Sequence, residues 1–579
     1  MKPDSVQKRL RLRTILIGIL FSAILAGIGA KAAYLQIFQH SWLSEKAVGQ
    51  VTASLDQQAK RGAIFDAGLQ EMAVSVDVHS VAAHPGRIAD PAGAARALAS
   101  VLSTSAGQLD RKLRLDRPFV WIKRQADPKE AQAVEALAIS GIDFVPEHKR
   151  FYPNTVLAAQ VIGFAGVDGT GLEGLEYYYN NELAGRSSQT TILRDALGRG
   201  FEKAEGSSAT RSGNNLVLTL QRGVQFLAED ALAATVAEFT AESGIAVVLS
   251  AKTGAVLALA HYPFFNPNAF DEFDRAAWRN RSITDPYEPG STLKIFTAAA
   301  ALETGAMTPD SVVYCENGQY RVGGNVIHDI KPHEWLSLAD VLRVSSNIGA
   351  AKIGDLVGAQ ELHRTLQRFG FGLRTGIDCP GESPGSLLPW QKWSKIDQYA
   401  VSFGQGVSVT ALQLAAATAA IANGGILMRP HIVQAVTDKN GRLIHRTEPK
   451  PIGRAVSEHT AAQLRRMMSQ VVAEDGSGAL AVMEGYSAGG KTGTAQKVDS
   501  GGGYAKDRYV ASFVGFAPLE DPEIVVLVTI DEPQKSHYGG VVAAPAFKKI
   551  AEGTLHYLNI PPGGGKGRLR VSAGHEVTG

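Results

Sequence analysis

An α+β protein with one antiparallel sheet is the fold class that the sequence predicts, and three observations lead to it. Runs rich in β-branched residues occur in two distant places, near residue 250 and again after residue 488. The stretch between them is rich in alanine and has a helical pattern over most of residues 291–425. Strands separated by one long helical insertion favour an antiparallel sheet with helices packed on it, rather than alternating strands and helices. We therefore expect five strands, two from the first place and three from the second.

The first element is an apolar segment near the N-terminus. Basic residues precede 17 uncharged, mostly apolar residues, 14-TILIGILFSAILAGIGA-30. Tyr34 and Trp42, which follow, are residue types found at membrane surfaces. These features predict a transmembrane helix over residues 14–37, preceded by a short tail, residues 1–13.

The basic tail also predicts the orientation of the chain. A positively charged flank stays in the cytoplasm, so everything after the anchor is expected on the other side of the membrane. A cleaved signal peptide is the alternative, because residues 30–32 have a small-x-small form. The apolar run exceeds a usual signal core and no polar mature start follows, which favours a retained anchor.

Composition excludes several classes of function. The 579 residues are 45% hydrophobic and 20% charged, which is typical of a folded protein of two to four domains. The net charge of +2 and the lack of a basic stripe argue against a nucleic-acid partner. No metal-ligand spacing and no phosphate-binding loop occur, so neither a metal nor a cofactor is expected. Cys315 and Cys379 are expected either to pair or to be two isolated core thiols.

Residues 38–221 are mixed in pattern. Turn-rich stretches such as 61-RGAIFDAGLQ-70 and 163-GFAGVDGTGLEG-174 predict an extended, mostly β and α+β module. The polar segment 202–215 predicts an exposed loop. Residues 216–232 then run from a strand pattern into a helix pattern.

The sheet domain is expected over residues 222–561. Two strand patterns, 244–254 and 255–263, meet at a Thr-Gly turn and predict a hairpin. The helical insertion contains 410-TALQLAAATAAIANGG-425, with a capping box at its start and an Asn-Gly stop at its end. Three more strand patterns and a tail expected to be flexible follow, at residues 488–498, 508–518, 523–533 and 562–579.

A serine and a lysine open the helical insertion, in 287-YEPGSTLKIF-296. A Pro-Gly pair ends an extended segment, and the apolar run over residues 293–302 predicts a buried helix with Ser291 in its first turn. The positive end of a helix favours a negatively charged serine oxygen. The i to i+3 spacing puts Lys294 on the same face, where a desolvated, neutral amine can accept the hydroxyl proton. Spacing alone is weak evidence, because Ser-x-x-Lys recurs by chance.

Two further short motifs lie beyond the anchor. Ser345-Ser346-Asn347 falls in the helical region, and Lys491-Thr492-Gly493 lies on a predicted strand. The chain also holds a second set in the same order, namely Ser5 with Lys8, Ser212 with Asn214, and Lys252-Thr253-Gly254. Ser5 lies on the opposite side of the anchor from its companions, so the second set cannot form one site. The set that begins at Ser291 is therefore the candidate.

The motif set and several longer phrases resemble a known family. Ser-x-x-Lys, Ser-x-Asn and Lys-Thr-Gly in this order are the motifs of penicillin-binding proteins and serine β-lactamases. Phrases similar to the transpeptidase domain of class B penicillin-binding proteins are 279-RNRSITDPYEPGSTLK-294, 403-FGQGVSVTALQLA-415, 490-GKTGTAQK-497 and 539-GGVVAAPAF-547. Residues 61–75 and 171–185 resemble the non-catalytic pedestal of that family, a dimerisation-type module here expected over residues 38–221. The run Lys-Thr-Gly-Thr-Ala-Gln, together with Tyr538-Gly539-Gly540, is more similar to division-type members, the penicillin-binding protein 3 or FtsI group, than to the elongation type.

The resemblance implies a β-lactamase-like fold and a stem-peptide substrate ending in D-Ala-D-Ala. Ser291 is then the expected nucleophile, Lys294 its base and Ser345 a proton relay. Lys491 is expected to keep Lys294 neutral, because adjacent like charges depress the pKa of a lysine. The expected substrate-binding residues are Asn347, Thr492, Gly493 and Thr494, and the expected oxyanion hole is the backbone N–H of Ser291 and of Thr494.

The resemblance also implies a location and partners. It implies a single-pass protein of the inner membrane with a periplasmic catalytic domain, which crosslinks stem peptides during septal cell-wall synthesis and binds β-lactam antibiotics covalently. A SEDS-class membrane glycosyltransferase and divisome proteins are the implied partners. The alternatives are an elongation-type transpeptidase, a β-lactamase or carboxypeptidase, and a non-enzymatic β-lactam sensor or septal scaffold. The pedestal and anchor argue against a hydrolase, and a sensor is expected to have a larger cytoplasmic part.

Overall fold

The computed structural model describes most of the chain, namely residues 3–57, 59–186, 188–194, 200–203, 211–499 and 502–563. The chain divides into two compact units. The first unit combines Met1–Ala59 with Arg186–Arg211, and the second combines Lys60–Gly185 with Ser212–Gly579.

The N-terminal helix is long and apolar. It spans Pro3–Ala33 and continues into a π-helical turn at Tyr34–Phe38. The stretch Gln7–Phe38 contains an 18-residue window with a mean hydropathy of 2.1, and its apolar side chains face outward, with Leu25 66% exposed. One helix in the described part of the chain is thus long and apolar enough to cross a membrane. It begins at Pro3 rather than at residue 14, since the lysines and arginines before the apolar run are good helix formers.

Short strands and helices alternate from residue 38 to residue 218. In chain order the strands are β1 (Thr52–Gln57), β2 (Ile64–Phe65), β3 (Glu71–Ala83), β4 (Val120–Ala126), β5 (Ile142–Phe151), β6 (Ser188–Arg194), β7 (Gly200–Lys203) and β8 (Asn215–Leu218). The helices up to this point are α1 (Pro3–Ala33), α2 (His40–Val51), α3 (Pro91–Leu102), α4 (Ala106–Leu113), α5 (Pro128–Ala136), α6 (Ala159–Ile162), α7 (Gly174–Tyr178) and α8 (Asn180–Leu183). In the first unit, β1, β6 and β7 form an antiparallel sheet.

The long strand β3 organises the N-terminal part of the second unit. It pairs antiparallel with β5 and with β4, and α3, α4 and α5 pack on these strands around Leu98, Leu109 and Val81.

A buried cluster of charged side chains lies in the same part of the second unit. The Glu176 carboxylate, which is fully buried, accepts from Arg61 Nε at 2.5 Å and from Arg150 Nε at 2.6 Å. Removing one partner would leave a buried uncompensated charge, which typically costs about 3–5 kcal/mol.

The remaining elements form the larger part of the second unit. Its strands are β9 (Ser243–Ser250), β10 (Val256–Tyr262), β11 (Val312–Tyr314), β12 (Gln319–Val322), β13 (Asn325–His328), β14 (Trp335–Ser337), β15 (Ile426–Met428), β16 (Val433–Thr437), β17 (Leu443–Arg446), β18 (Pro451–Arg454), β19 (Gly489–Val498), β20 (Tyr504–Ala517) and β21 (Ile524–Asp531). Its helices are α9 (Arg222–Phe239), α10 (Arg275–Trp278), α11 (Arg281–Thr284), α12 (Lys294–Glu303), α13 (Leu338–Val344), α14 (Asn347–Val357), α15 (Ala359–Arg368), α16 (Lys395–Ser402), α17 (Ala411–Ala422), α18 (Glu458–Val472), α19 (Gly539–Val542) and α20 (Ala544–Tyr557).

The predicted five-stranded antiparallel sheet is confirmed. Its strand order is β10-β9-β21-β20-β19, and every neighbouring pair is antiparallel. Side chains of β9 alternate between two cores, with Val247 in one and Val248 in the other. Helices α9 and α20 cover one face, and α12 and α17 lie in the core of the other, which explains why the central strands are apolar on both faces. Strand β19 is left at the edge of the sheet.

Several predicted elements agree with the structure. The hairpin of β9 and β10 turns at Lys252-Thr253-Gly254, and α17 begins with the capping box of Thr410 and Gln413. The apolar run after Ser291 is helix α12, buried from Lys294 to Leu302 because it is apolar on all sides.

Other expectations were wrong or fall outside the described residues. The insertion that carries Ser291 is not wholly helical, because β11 with β14 and β12 with β13 form two ribbons too short to show a period-2 pattern. The expected loop 202–215 begins in strand β7, and its Gly213 is buried. Residues 204–210, and the tail from residue 564, lie outside the described residues. Of the two alternatives for Cys315 and Cys379, the isolated core thiols are confirmed, since both thiols are free and buried.

Candidate active site

Ser291 lies on a 3-10 turn that leads into α12. Gly290 precedes it with a φ of +52°, and a Cβ at this position would lie 2.8 Å from the Thr494 carbonyl oxygen. Only glycine therefore lets the turn approach strand β19 so closely. Ser291 is partly exposed, whereas Lys294, three residues later, is 1% exposed. The turn presents the serine at a surface and sends the lysine into the interior.

Ser345 and Asn347 lie between two consecutive helices. Helix α13 ends at Val344, and its C-cap Ser345 adopts a left-handed conformation with φ +63°. Ser346 caps the next helix, α14, by accepting from the Gly349 N–H, and Asn347 is the first residue of that helix. A left-handed serine costs about 1–3 kcal/mol, and such strain is concentrated at functional sites. The reversal directs both motif side chains toward α12.

Lys491, Thr492, Gly493 and Thr494 lie on the edge strand β19. The register pairs Lys491 with Val514 and Thr494 with Ala511 on β20, and among the described residues no strand pairs with the opposite side of β19. Gly493 packs against the turn that contains Ser291, where a Cβ would lie 2.9 Å from the Thr292 methyl group. The sheet edge thus lies directly against the turn that carries the serine.

The Ser345 hydroxyl is placed between two buried lysines. Lys294 Nζ lies 3.3 Å from Ser345 Oγ and donates to the Ser345 carbonyl at 2.6 Å and to Asn347 Oδ1 at 2.7 Å. Lys491 Nζ donates to the same Ser345 hydroxyl at 2.9 Å from across the cleft. The three sequence motifs therefore meet through one hydroxyl group.

Burial controls the charge of both amines. It lowers the pKa of Lys294 to about 7, against the attraction of the nearby Asp329 carboxylate. It also lowers the pKa of Lys491 well below its ordinary value, and the charge of Lys294 adds to this effect. Lys491 was expected to keep Lys294 neutral. Loss of hydration is the first cause of the low pKa of Lys294, and positive charges on the two amines oppose each other.

Asp329 is a residue of this site that sequence reasoning missed. Its Oδ1 accepts from the Asn347 N–H at 2.5 Å and from the Ile348 N–H at 3.1 Å, and its Oδ2 accepts from Ser346 Oγ at 2.5 Å. The carboxylate thus caps the start of α14 and fixes the motif there. No spacing rule links Asp329 to Ser346, because the contact depends on the ribbon of β12 and β13 folding back on the helix.

The second motif set is dispersed, as expected. Lys252 lies on the exposed hairpin turn, where its Nζ binds Asp521 and Glu523. The Asn214 N–H donates to the Glu182 carbonyl in the N-terminal part of the second unit. His261 is buried and accepts from the Ser282 N–H through Nε2, and burial lowers its pKa to about 4. None of these groups contacts Ser291, Ser345 or Lys491 in the described structure.

Comparison with known proteins identifies the family. Residues 244–552 match the penicillin-binding protein transpeptidase domain, and residues 56–218 match the penicillin-binding protein dimerisation domain. The chain therefore belongs to the class B penicillin-binding proteins, a family of peptidoglycan D,D-transpeptidases.

The relatives extend over nearly the whole chain. A probable peptidoglycan D,D-transpeptidase PenA of Neisseria meningitidis is 34% identical over 567 residues, covering 97% of this chain and 94% of its own. Peptidoglycan D,D-transpeptidase FtsI of Escherichia coli is 34% identical, covering 93% and 90%. The crystal structure of penicillin-binding protein 3 from Mycobacterium tuberculosis with aztreonam is 29% identical, with a TM-score of 0.69 over 88% of this chain and 98% of its own. Stage V sporulation protein D of Bacillus subtilis is also similar, at 33% identity over 96% and 87%.

Proposed function

We propose that this chain crosslinks peptidoglycan stem peptides during septal synthesis, through an acyl-enzyme formed on Ser291. The observation that carries the proposal is the Ser345 hydroxyl, which contacts buried lysines from two other motifs beside the turn of Ser291. This constellation suits acyl transfer, because it couples a nucleophile to a base and to a proton relay.

Acylation begins with removal of the Ser291 proton. A neutral Lys294 amine has two hydrogens, and the Ser345 carbonyl and Asn347 Oδ1 accept them at 2.6 and 2.7 Å. Its lone pair is then left to take the Ser291 proton as the serine oxygen attacks the carbonyl of the penultimate D-Ala. The N–H groups of Ser291 and Thr494 stabilise the oxyanion, and each such donor is worth about 2.7–4 kcal/mol.

Collapse of the tetrahedral intermediate breaks the bond to the terminal D-Ala. Ser345 gives its proton to the departing amine and recovers one from Lys294 or Lys491, both of which contact its oxygen. The products of this step are the serine ester and free D-Ala.

The terminal carboxylate of the donor binds along the edge strand. The Thr494 hydroxyl accepts from the Gly539 N–H at 3.2 Å, so its own proton is free to donate to an anion. Lys491 Nζ donates to Thr492 Oγ1 at 3.3 Å and so orients that hydroxyl, and Gly493 leaves room for the close approach of the turn. Asn347 orients the donor, because an amide side chain both donates and accepts.

Resolution of the ester needs an amine rather than water. The amine of a neighbouring stem peptide attacks the Ser291 ester, its proton returns through Lys294, and the new amide bond is the crosslink. A β-lactam mimics the donor and acylates the same oxygen, but its opened ring stays attached and blocks the approach of the amine. A hydrolase is disfavoured, because no carboxylate contacts Ser291 in the described residues as a base for water.

The proposal includes a location and partners. The apolar helix anchors the chain once in the inner membrane, with residues 1–13 cytoplasmic and the catalytic domain, residues 222–561, in the periplasm. The pedestal, residues 38–221, together with the anchor, contacts a SEDS-class glycosyltransferase and divisome proteins. The septal role rests on the resemblance of the Lys-Thr-Gly-Thr-Ala-Gln run to division-type members, and the similarity to FtsI supports it.

Fluorescent-penicillin labelling with peptide mapping tests the chemistry. The label is expected on the Ser291 peptide and is expected to disappear in Ser291→Ala and in Lys491→Ala. Lys252→Ala is the matched control, because it removes the lysine of the second Lys-Thr-Gly from an exposed turn and should label normally. A label on another serine, or normal labelling of Ser291→Ala, would overturn the mechanism.

Depletion of the protein in its own cells tests the role. Filamentous cells without septa are expected from loss of a septal transpeptidase. Rounded cells would favour the elongation-type alternative, and an unlabelled protein with a division defect would favour a scaffold.

A further inference from the structure

A four-residue surface loop contacts Arg343, which lies close to the Ser345 motif, and Thr492 of the Lys-Thr-Gly motif. This bridging loop, Asp475–Gly478, follows helix α18. Arg343 Nη1 donates to Asp475 Oδ2 at 2.5 Å, and the Ser477 N–H donates to the Arg343 carbonyl at 3.3 Å. Arg343 lies on α13, two residues before Ser345. One side of the bridging loop is therefore hydrogen-bonded to α13, the helix whose C-cap is the proposed proton relay Ser345.

The other side of the bridging loop meets the edge strand. Thr492 Oγ1 donates to Ser477 Oγ at 3.3 Å, and the same Thr492 oxygen accepts from Lys491 Nζ at 3.3 Å. The Ser477 carbonyl also packs on Gly540, where a Cβ would lie only 2.2 Å from it. The neighbouring Gly539 N–H holds Thr494. Ser477 thus contacts the Thr492 hydroxyl and packs on the residue that follows the one holding Thr494.

Close packing fixes the bridging loop in place. A Cβ on Gly476 would lie 2.2 Å from the Val471 carbonyl in the last turn of α18. A Cβ on Gly478 would lie 2.7 Å from the Phe513 ring on β20. These two glycines let the loop press on a helix and on the sheet, while the Ser477 side chain between them stays exposed. An exposed side chain on a tightly packed loop is suited to contact a ligand.

The hydrogen bonds have a direction. They run from the Lys491 amine to Thr492 and from Thr492 to Ser477. Because Ser477 Oγ accepts from Thr492, its own proton is free to point into the cleft. Hydrogen bonds linked in a chain polarise one another, which strengthens the last donor. An anion is the ligand that such a terminal hydroxyl favours.

We propose that Ser477 is a further residue of the donor site, whose hydroxyl donates to the terminal carboxylate of the stem peptide or of a β-lactam. The Arg343–Asp475 ion pair holds the bridging loop in the position that this contact requires. The inference rests on the proposed transpeptidase function. Because Thr492 donates its only hydroxyl proton to Ser477 Oγ, Ser477 donates to the carboxylate in place of Thr492, beside Thr494.

Two probes that differ only in the carboxylate test this role. The rate of acylation of the full chain in detergent is measured with benzylpenicillin and with its methyl ester, which lacks the negative charge. Ser477→Ala is expected to slow the reaction with benzylpenicillin about ten- to 100-fold, in line with loss of one hydrogen bond to a charged group. The rate with the methyl ester is expected to stay within about twofold, and Ser477→Thr should restore the rate with benzylpenicillin.

The ion pair is tested with a matched pair of variants. Asp475→Asn should lower the rate with benzylpenicillin about two- to fivefold, because an exposed ion pair contributes little. Glu474→Gln removes the adjacent exposed carboxylate, for which the structure shows no ion pair, and should change nothing.

The outcomes separate this inference from the proposed function. Equal slowing of both probes by Ser477→Ala, or no slowing at all, would overturn the role of Ser477 while acylation of the wild type remains. No acylation of the wild-type chain by benzylpenicillin would overturn the proposed function itself. Thermal melting of each variant confirms that the protein is folded, as expected for changes on an exposed loop.

Discussion

The pH dependence of acylation tests Lys294 as the base. Burial lowers its pKa from 10.5 to about 7, which corresponds to a preference of about 5 kcal/mol for the neutral amine. At pH 7 about half of the molecules then carry a neutral amine, and at pH 6 about one in eleven. Only the neutral amine accepts a proton, so the rate should rise with pH through about 7 and level off above it. Below pH 6 it should fall roughly tenfold for each pH unit.

Asp329→Asn is the perturbation that identifies the titrating group. The Asp329 charge raises the pKa of Lys294, so its removal should move the midpoint of the profile to lower pH. The amide retains an oxygen for the Asn347 and Ile348 N–H groups and can donate to Ser346 Oγ, so the start of α14 should remain capped. Glu316→Gln is the control, because this carboxylate pairs with Lys352 instead.

The assay is stopped-flow acylation by a fluorescent penicillin between pH 5 and pH 9 at constant ionic strength. Melting curves at each pH exclude unfolding as the cause of a lower rate. A profile that is flat between pH 6 and pH 8 would refute Lys294 as the base. A midpoint that stays fixed or rises in Asp329→Asn would refute the electrostatic reasoning.

Three further predictions address the fold, the anchor and the chemistry. The folded pKa of Lys294 lies below that of the unfolded chain, so burial of this group opposes folding most below about pH 7, and its cost falls as pH rises toward 10.5. Lys294→Met should therefore abolish penicillin labelling yet melt no lower than wild type at pH 7. The variant no longer buries an amine, and this gain offsets the loss of about 1–3 kcal/mol for each acceptor of Lys294 that is left unpaired. A much lower melting temperature would contradict this. N-terminal analysis of membrane-extracted protein should find the apolar segment retained, and a soluble chain that begins near Ala33 would exclude the anchor. Mass spectrometry should find a penicillin adduct on Ser291 that persists, whereas rapid loss with accumulating penicilloate would identify a β-lactamase.

Local chemistry in the sequence was enough to predict much of the fold. The hairpin before residue 263, the capping box of α17 and the buried helix after Ser291 each depend on residues within a few positions of one another. The five-stranded sheet followed from strand patterns on either side of a helical insertion. The short ribbons near residues 312–337 were missed, because strands of three or four residues carry no periodicity.

The motif residues were found from the sequence, but their chemistry depends on the tertiary structure. Ser345 and Lys491 are 146 positions apart, and no rule of spacing predicts that one hydroxyl would contact two lysines. The low pKa of Lys294 follows mainly from burial, which depends on every element packed around α12 and not on neighbours in sequence. Asp329 and the bridging loop had no signal at all, because their contacts join segments that the fold alone brings together. Sequence therefore determined which groups can react, and long-range packing decided their charges and the partners that hold them.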